Sequence, residues 1–125
     1  MIFDCCVNVY SANTRNTYWI FDKWVEAWDN ADVETMRSLM CDDAEMIMHS
    51  DNSKMTADEW RERMSLMIGK LKQENLRCIY ENDDILVMHF VMTFPNGTRD
   101  AVMYVAMKRD GKIVRIETGS TPLPT

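Results

Sequence analysis

The most informative segment of the chain spans residues 85–120 and reads ILVMHFVMTFPNGTRDAVMYVAMKRDGKIVRIETGS. Apolar side chains recur at every second position along much of it, which is the period of a β-strand and not of a helix. Asn96-Gly97 and Asp110-Gly111 interrupt this pattern, and both are preferred pairs for two-residue hairpin turns. The segment therefore predicts three consecutive antiparallel strands, over residues 85–94, 99–109 and 113–120.

The two turns also predict how the strands pair. If each turn has two residues, counting outward places His89 opposite Tyr104 and Tyr104 opposite Glu117. Residues two apart share a face, so one face of the sheet lacks ionisable groups and the other carries Lys108, Arg115 and Glu117. We expect the uncharged face to pack on the helices, because burying unpaired charges is costly. Its predicted members are Leu86, Met88, Phe90, Met92, Phe94, Met103, Val105, Met107, Val114, Ile116, Thr118 and Ser120.

Helical signals precede these strands. Apolar residues at three- and four-residue spacing predict a first helix over residues 17–30, and Asp32 can cap a second. Thr56 and Glu59 form the capping-box pattern that opens a third helix. Short strands are predicted over residues 44–49 and 76–81. The resulting fold class is α+β, with three N-terminal helices packed on a curved antiparallel sheet.

Composition narrows the classes of function. The 125 residues suit one domain, and 46% hydrophobic content can close a core without metal or disulfide bonds. The net charge of -6 argues against nucleic acid and anionic membranes as partners. The four cysteines include no C-x-x-C pair, and no basic, apolar leader opens the chain, so we expect reduced thiols and a cytoplasmic protein. No metal site or cofactor is predicted.

Three short segments resemble a known family: residues 24–32 (WVEAWDNAD), 39–44 (LMCDDA) and 111–117 (GKIVRIE). They are similar to the SnoaL-like and ketosteroid isomerase-like branch of the nuclear transport factor 2-like (NTF2-like) superfamily. The resemblance implies a cone-shaped fold over residues 17–121, with a cavity between the helices and the concave sheet. Residues 1–16 are then an N-terminal extension.

The resemblance does not carry a reaction with it, because this superfamily includes enzymes, binding proteins and assembly modules. Ketosteroid isomerases hold tyrosines on their helices, an aspartate base after the first strand and a second acid on a later strand. The proton-transfer set is missing here, so no ketosteroid isomerase activity is expected. The corresponding positions hold Trp24, Met40, Met64, Met48, and Met103 or Val105.

Two residues after the first predicted strand are candidate catalytic bases. His49 and Asp51 would lie at the cavity mouth, although a solvated loop is the simpler explanation for both. The row His89, Tyr104 and Glu117 suggests a proton relay, but the predicted register places it on the convex face as a surface or interface hydrogen-bonded row. The candidate ligand-binding residues are Trp24, Trp28, Met48, Trp60, Met64, Phe90, Met92, Met103, Val105, Ile116 and Thr118.

The sequence thus favours a protein that binds a small apolar organic molecule in a methionine- and aromatic-lined cavity, without acid or base chemistry. One alternative is an enzyme of the cyclase, isomerase, dehydratase or epoxide hydrolase type that uses His49 or Asp51 as base. Another is a non-catalytic dimerisation module. A homodimer is expected through a convex apolar strip of the sheet that comprises Val87, His89, Val91, Val102, Tyr104 and Ala106.

Overall fold

The computed structural model describes residues 19–124, which form three α-helices and six β-strands. The predicted N-terminal extension, the predicted helix start at Thr17, and Cys5 and Cys6 lie outside the described residues. The helices are α1 (Phe21–Asp29), α2 (Val33–Ser38) and α3 (Ala57–Met67), and a 3-10 turn (Ile68–Lys70) follows α3. The strands are β1 (Met40–Met48), β2 (Ser53–Thr56), β3 (Lys72–Glu81), β4 (Ile85–Thr93), β5 (Arg99–Arg109) and β6 (Lys112–Pro122).

Two helices begin at the caps that the sequence predicts. The carboxylate of Asp32 accepts a hydrogen bond from the backbone N–H of Thr35 at 3.1 Å. At α3 the hydroxyl of Thr56 accepts from the N–H of Glu59 at 3.1 Å, and the Glu59 carboxylate accepts from the N–H of Thr56 at 2.8 Å. These bonds satisfy N–H groups that lack partners inside the helix, and so they fix where α2 and α3 start.

The six strands form one open sheet in the order β2-β1-β6-β5-β4-β3. Neighbouring strands are antiparallel except β1 and β6, which run parallel. The α+β architecture is therefore confirmed, but the sheet is mixed and not wholly antiparallel. The reason is that β1, which precedes α3 in the chain, lies beside β6, the last strand, and runs in the same direction as β6. Both β1 and β3 are also longer than predicted.

The loop between β4 and β5 has three residues instead of the predicted two. The N–H of Phe94 donates to the carbonyl of Thr98 at 2.9 Å, and the N–H of Gly97 donates to the carbonyl of Phe94 at 2.8 Å. Pro95 and Asn96 are the central residues of this turn, and Gly97 follows with a φ of 88°. Pro95 has no N–H and its ring favours the second position of a type I turn, so it does not pair across the hairpin.

This extra loop residue reverses the two faces of β5. His89 pairs with Met103, and Tyr104 pairs with Met88. Tyr104 is 5% exposed inside the core, whereas Met103 is 43% exposed on the outer face. The prediction that Met103 and Val105 point inward and Tyr104 outward is therefore wrong. The same reversal buries two residues that were assigned to the convex strip, Val102 and Ala106.

A β-bulge in β6 compensates for part of the shift. Asp110-Gly111 forms the predicted two-residue turn, with φ values of 53° and 83°. Beyond it Lys108 pairs with Ile113, but Met107 pairs with Arg115, so β6 contains one extra residue at this point. The remainder of β6 consequently regains its predicted orientation, with inward-facing residues that include Ile116 and Thr118.

A charged residue lies in the core, contrary to the prediction. Lys108 is buried because its ammonium group lies 2.7 Å from the carboxylate of Glu81 and donates to the carbonyl of Asn82 at 2.7 Å. The same carboxylate accepts hydrogen bonds from the backbone N–H groups of Ile20 and Phe21, where α1 begins. The premise that an inward lysine would lack a partner was wrong, since Glu81 comes from the far edge strand β3.

The expectation of four reduced thiols is also not met. Cys41 is a free cysteine, but Cys78 on β3 is disulfide-bonded. Cys78 is buried and pairs with Met88, so its side chain belongs to the inner layer of the sheet.

Candidate functional site

A cavity of about 310 Å³ lies between the helices and the inner face of the sheet. This volume is at the small end of the range typical of ligand sites. All three helices and all six strands or their adjoining loops contribute to its wall. The lining residues are Trp24, Trp28, Met36, Met46, Met48, Met55, Trp60, Arg63, Met64, Met67, Leu71, Gln73, Phe90, Met92, Phe94, Val102, Tyr104, Thr118 and Ser120.

Methionines make up much of this wall. Seven of the 12 methionines in the chain line the cavity, and they come from helices and strands alike. The thioether side chain is unbranched and polarizable, so it adapts its shape to different apolar surfaces. A wall of this composition suits an apolar molecule more than a polar one.

Aromatic rings form a second, more rigid part of the wall. The rings of Trp24 and Trp60 are 5.7 Å apart at their centroids, and Trp24 and Tyr104 are also 5.7 Å apart. Phe90 lies 6.3 Å from Tyr104, and each of these pairs is tilted. Tilted contacts at such distances are favourable between rings. The cluster therefore holds the Tyr104 ring in place from two sides.

The hydroxyl of Tyr104 is buried in this cavity and has no hydrogen-bond partner within residues 19–124. Burial raises the pKa of this phenol well above its ordinary value, so the hydroxyl stays protonated at neutral pH. A second buried atom, Oε1 of Gln73, likewise has no partner in the described part of the chain and lines the same cavity. Both atoms can form hydrogen bonds with a bound molecule.

Arg63 is the charged residue of the lining. Its guanidinium makes no hydrogen bond or ion pair with any other residue of the described range. Hydrogen bonding from Ser53 lowers the pKa of Asp51, and hydrogen bonding from Thr56 lowers that of Glu59, with the positive charge of Arg63 adding to both effects. Arg63 therefore lies near two carboxylates without being paired to either.

Eight of the eleven ligand-binding residues expected from the sequence line the cavity. Ile116 is buried in the core but is not part of the lining. Met103 and Val105 lie on the opposite face of β5, because the three-residue loop reverses that strand. Tyr104 lines the cavity in place of these two residues. Pro95 is the feature of the sequence that indicates the longer loop and therefore the reversed strand. The eight residues are Trp24, Trp28, Met48, Trp60, Met64, Phe90, Met92 and Thr118.

The two candidate bases lie away from the cavity lining. His49 is 57% exposed, and its Nε2 is 2.8 Å from the carboxylate of Glu117 on the outer face of the sheet. Arg115 donates to the same carboxylate at 2.8 Å, and hydrogen bonds from Arg115 and then His49 lower the pKa of Glu117. The Asp51 carboxylate accepts from the backbone N–H of Ser53 at 2.9 Å, within its own loop. A catalytic role for either residue stays a prediction that their placement does not favour.

The predicted row of His89, Tyr104 and Glu117 is not present in the sheet. Tyr104 faces the cavity, whereas Glu117 pairs with Val105 and contacts His49 outside. Burial, and then the charge of Arg77, lower the pKa of His89, so this imidazole is neutral at neutral pH. These three side chains therefore cannot relay a proton.

Two other kinds of feature are absent from residues 19–124. No group of three or more histidine, cysteine, aspartate or glutamate side chains there is arranged to hold a metal ion. In the same range, no helix has the length and apolar character needed to cross a membrane.

Comparisons with known proteins agree with this geometry. The family model described as the SnoaL-like domain matches residues 21–116. An NTF2-like protein of unknown function from Cytophaga hutchinsonii superimposes with a TM-score of 0.68 at 10% identity, covering 82% of this chain and 87% of that one. No curated protein matches the sequence significantly.

Two further solved structures are described by candidate reactions. IdmH, a candidate polyketide cyclase from Streptomyces antibioticus, has a TM-score of 0.63 at 18% identity and covers 80% of this chain and 88% of its own. A candidate ketosteroid isomerase from Kribbella flavida has a TM-score of 0.66 at 12% identity, with coverage of 85% and 78% respectively. At such identities the likeness establishes the fold alone.

Proposed function

Since this chain belongs to the SnoaL-like domain family, to which residues 21–116 match, we propose that it binds a small, largely apolar organic molecule in the cavity between the helices and the sheet. The observation that carries this proposal is the Tyr104 hydroxyl, which is buried in a largely apolar wall without a partner among the described residues. An oxygen atom of the bound molecule would accept its hydrogen bond.

Folding alone gives no reason for a hydroxyl at this position. A buried polar group without a partner costs about 1–3 kcal/mol, and a phenylalanine would fill the same space without that cost. Tyr104 is also held between the rings of Trp24 and Phe90, so its hydroxyl points from a fixed position. A fixed donor in an apolar cavity is the arrangement that orients a ligand in many binding sites.

Binding is favoured over acid–base catalysis because the part of the lining formed by residues 19–124 offers no base. Its titratable side chains are Tyr104, whose hydroxyl stays protonated because burial raises its pKa, and Arg63, whose guanidinium carries donors and no acceptor. A cyclase or isomerase that abstracts a proton needs a positioned base within hydrogen-bond reach of its substrate. The alternatives that use His49 or Asp51 would therefore require these residues to act from outside the lining.

Isothermal titration calorimetry with two neutral aromatic compounds tests the proposal. 2-Acetylnaphthalene offers a carbonyl oxygen to Tyr104, whereas 2-ethylnaphthalene has a similar shape without an acceptor. We expect the ketone to bind about tenfold more tightly than the hydrocarbon, and Tyr104→Phe to remove that difference. Tyr80→Phe is the matched control, because Tyr80 is exposed on β3 outside the lining. Absence of binding of both compounds to the wild-type protein would overturn the proposal.

A further inference from the structure

The geometry points to a ligand with two polar ends, a carboxylate that pairs with Arg63 and an oxygen acceptor that reaches Tyr104. This inference rests on the proposed function and adds the charge of the ligand to it. Three observations support it: the unpaired state of Arg63, the distribution of polar atoms along the cavity, and the charges around the guanidinium.

Arg63 differs from the other arginines of the helical layer. Arg37 lies 3.0 Å from Asp58 and 3.1 Å from Asp42, and Arg61 lies within 4 Å of acidic side chains as well. Arg63, in the described part of the chain, forms no such pair, although it is the charged member of a largely apolar lining. It lies one helical turn from Trp60 and Met67, which line the same cavity, so α3 directs all three to one side.

The polar atoms lie at different places along the cavity. Tyr104 pairs with Met88 on β4, and Gln73 pairs with Met92, four residues further along the same strand. The two residues are two strands apart across the sheet and four residues apart along it, so their Cα atoms are separated by about 15 Å. A ligand that reaches both regions is elongated, with an apolar middle and polar ends.

Arg63 lies where the cavity meets the solvent. Its side chain lines the cavity but is exposed, whereas the Tyr104 hydroxyl and the Oε1 atom of Gln73 are buried. A carboxylate on Arg63 would therefore lie at the open side of the cavity, with the oxygen acceptor of the ligand at depth. The Gln73 amide supplies both a donor and an acceptor inside the cavity.

The surroundings of Arg63 select the type of anion. Asp51 and Glu59 are close enough for Arg63 to lower their pKa values, and the whole chain carries a net charge of -6. These charges repel a dianion such as a phosphate monoester more strongly than a single carboxylate, and a carboxylate can bind one guanidinium through two hydrogen bonds.

The test compares 6-acetyl-2-naphthoate with its methyl ester by isothermal titration calorimetry. Both compounds offer the ketone oxygen to Tyr104, and they differ in the charge at the other end. We expect the acid to bind the wild-type protein about tenfold more tightly than the ester, and this advantage to shrink as ionic strength rises. Arg63→Gln should bring the ratio of the two affinities, acid over ester, close to one.

Arg61→Gln is the matched control, because Arg61 is on the same helix and outside the lining. It should keep the advantage of the acid. Equal affinities of acid and ester for the wild-type protein, or an equal loss of both in Arg63→Gln, would overturn the inference and leave the proposed function standing. If neither compound binds the wild-type protein, the proposed function and this inference fail together.

Discussion

The ammonium nitrogen of Lys108 lies 2.7 Å from a carboxylate oxygen of Glu81, and neither side chain is exposed to solvent. The pair connects β5 to the edge strand β3. Because the Glu81 carboxylate also accepts from the N–H groups of Ile20 and Phe21, it serves as the cap that α1 lacks locally. One buried carboxylate thus joins two strands and a helix.

Replacing one member of this pair should destabilise the fold strongly. Glu81→Gln removes the buried carboxylate that lies 2.7 Å from the Lys108 ammonium, and we expect a loss of about 3–5 kcal/mol in the free energy of unfolding. Urea unfolding followed by circular dichroism measures it. The double variant Glu81→Gln with Lys108→Met removes both charges and should lose less than the two single variants together. Additive losses would show that the two groups do not interact.

Tyr104→Phe should stabilise the free protein while it weakens ligand binding. Removing a buried hydroxyl that has no partner among the described residues relieves its desolvation cost, so the free energy of unfolding should rise by about 1 kcal/mol. Tyr80→Phe, which removes a hydroxyl that accepts from Nδ2 of Asn82 at 3.5 Å, should not raise it. A clear loss of stability in Tyr104→Phe would mean that the hydroxyl is bonded within the protein.

Thr56→Ala tests the capping box of α3. Loss of the Thr56 hydroxyl leaves the N–H of Glu59 without its acceptor, so the free energy of unfolding should fall by about 1 kcal/mol. Thr121→Ala is a suitable comparison, because Thr121 is exposed near the end of β6. If both variants unfold at the wild-type urea concentration, the box does not contribute to stability.

The carboxylate of Glu117 predicts a dependence of stability on pH. Hydrogen bonds from Arg115 and His49 lower its pKa below the ordinary value of 4.5 in the folded state. A lowered folded-state pKa gives stability that is present above the ordinary value and lost as pH falls through the folded value. Wild type should therefore be more stable than Glu117→Gln at neutral pH. The difference should disappear in strong acid, and a constant difference across a urea series in pH would contradict this account.

The homodimer stays a prediction, and the reversed strand changes its interface. The outer face of β4 and β5 now presents Val87, Met103, Val105 and Met107 in place of the buried Val102, Tyr104 and Ala106. Arg115 and Glu117 beside this strip carry opposite charges, which a two-fold pairing with a second copy can match. Met103→Asp should convert a dimer into a folded monomer in sedimentation experiments. Wild type that sediments as a monomer would remove the prediction.

Much of the fold follows from local sequence. Asp32, Thr56 and the Asp110-Gly111 turn act on residues within a few positions of themselves, so their effects can be predicted without knowing the rest of the chain. The apolar spacing of α1 and the alternation in β4 to β6 depend on equally short distances along the chain. These signals suffice to place the helices, the central strands and eight of the 19 residues that line the cavity.

The sequence by itself thus determined the order and kind of the elements, and tertiary structure decided which side chains meet. The loop that contains Pro95 is one residue longer than predicted. Because side chains alternate along a strand, this difference places Tyr104 inside the cavity and Met103 outside it. Glu81, which is 27 positions from Lys108 in the sequence, pairs with its ammonium group and so compensates the cost of burying that charge. Contacts between distant positions produce no periodic pattern in the sequence. Each such contact depends on the register of all the strands that lie between the two residues.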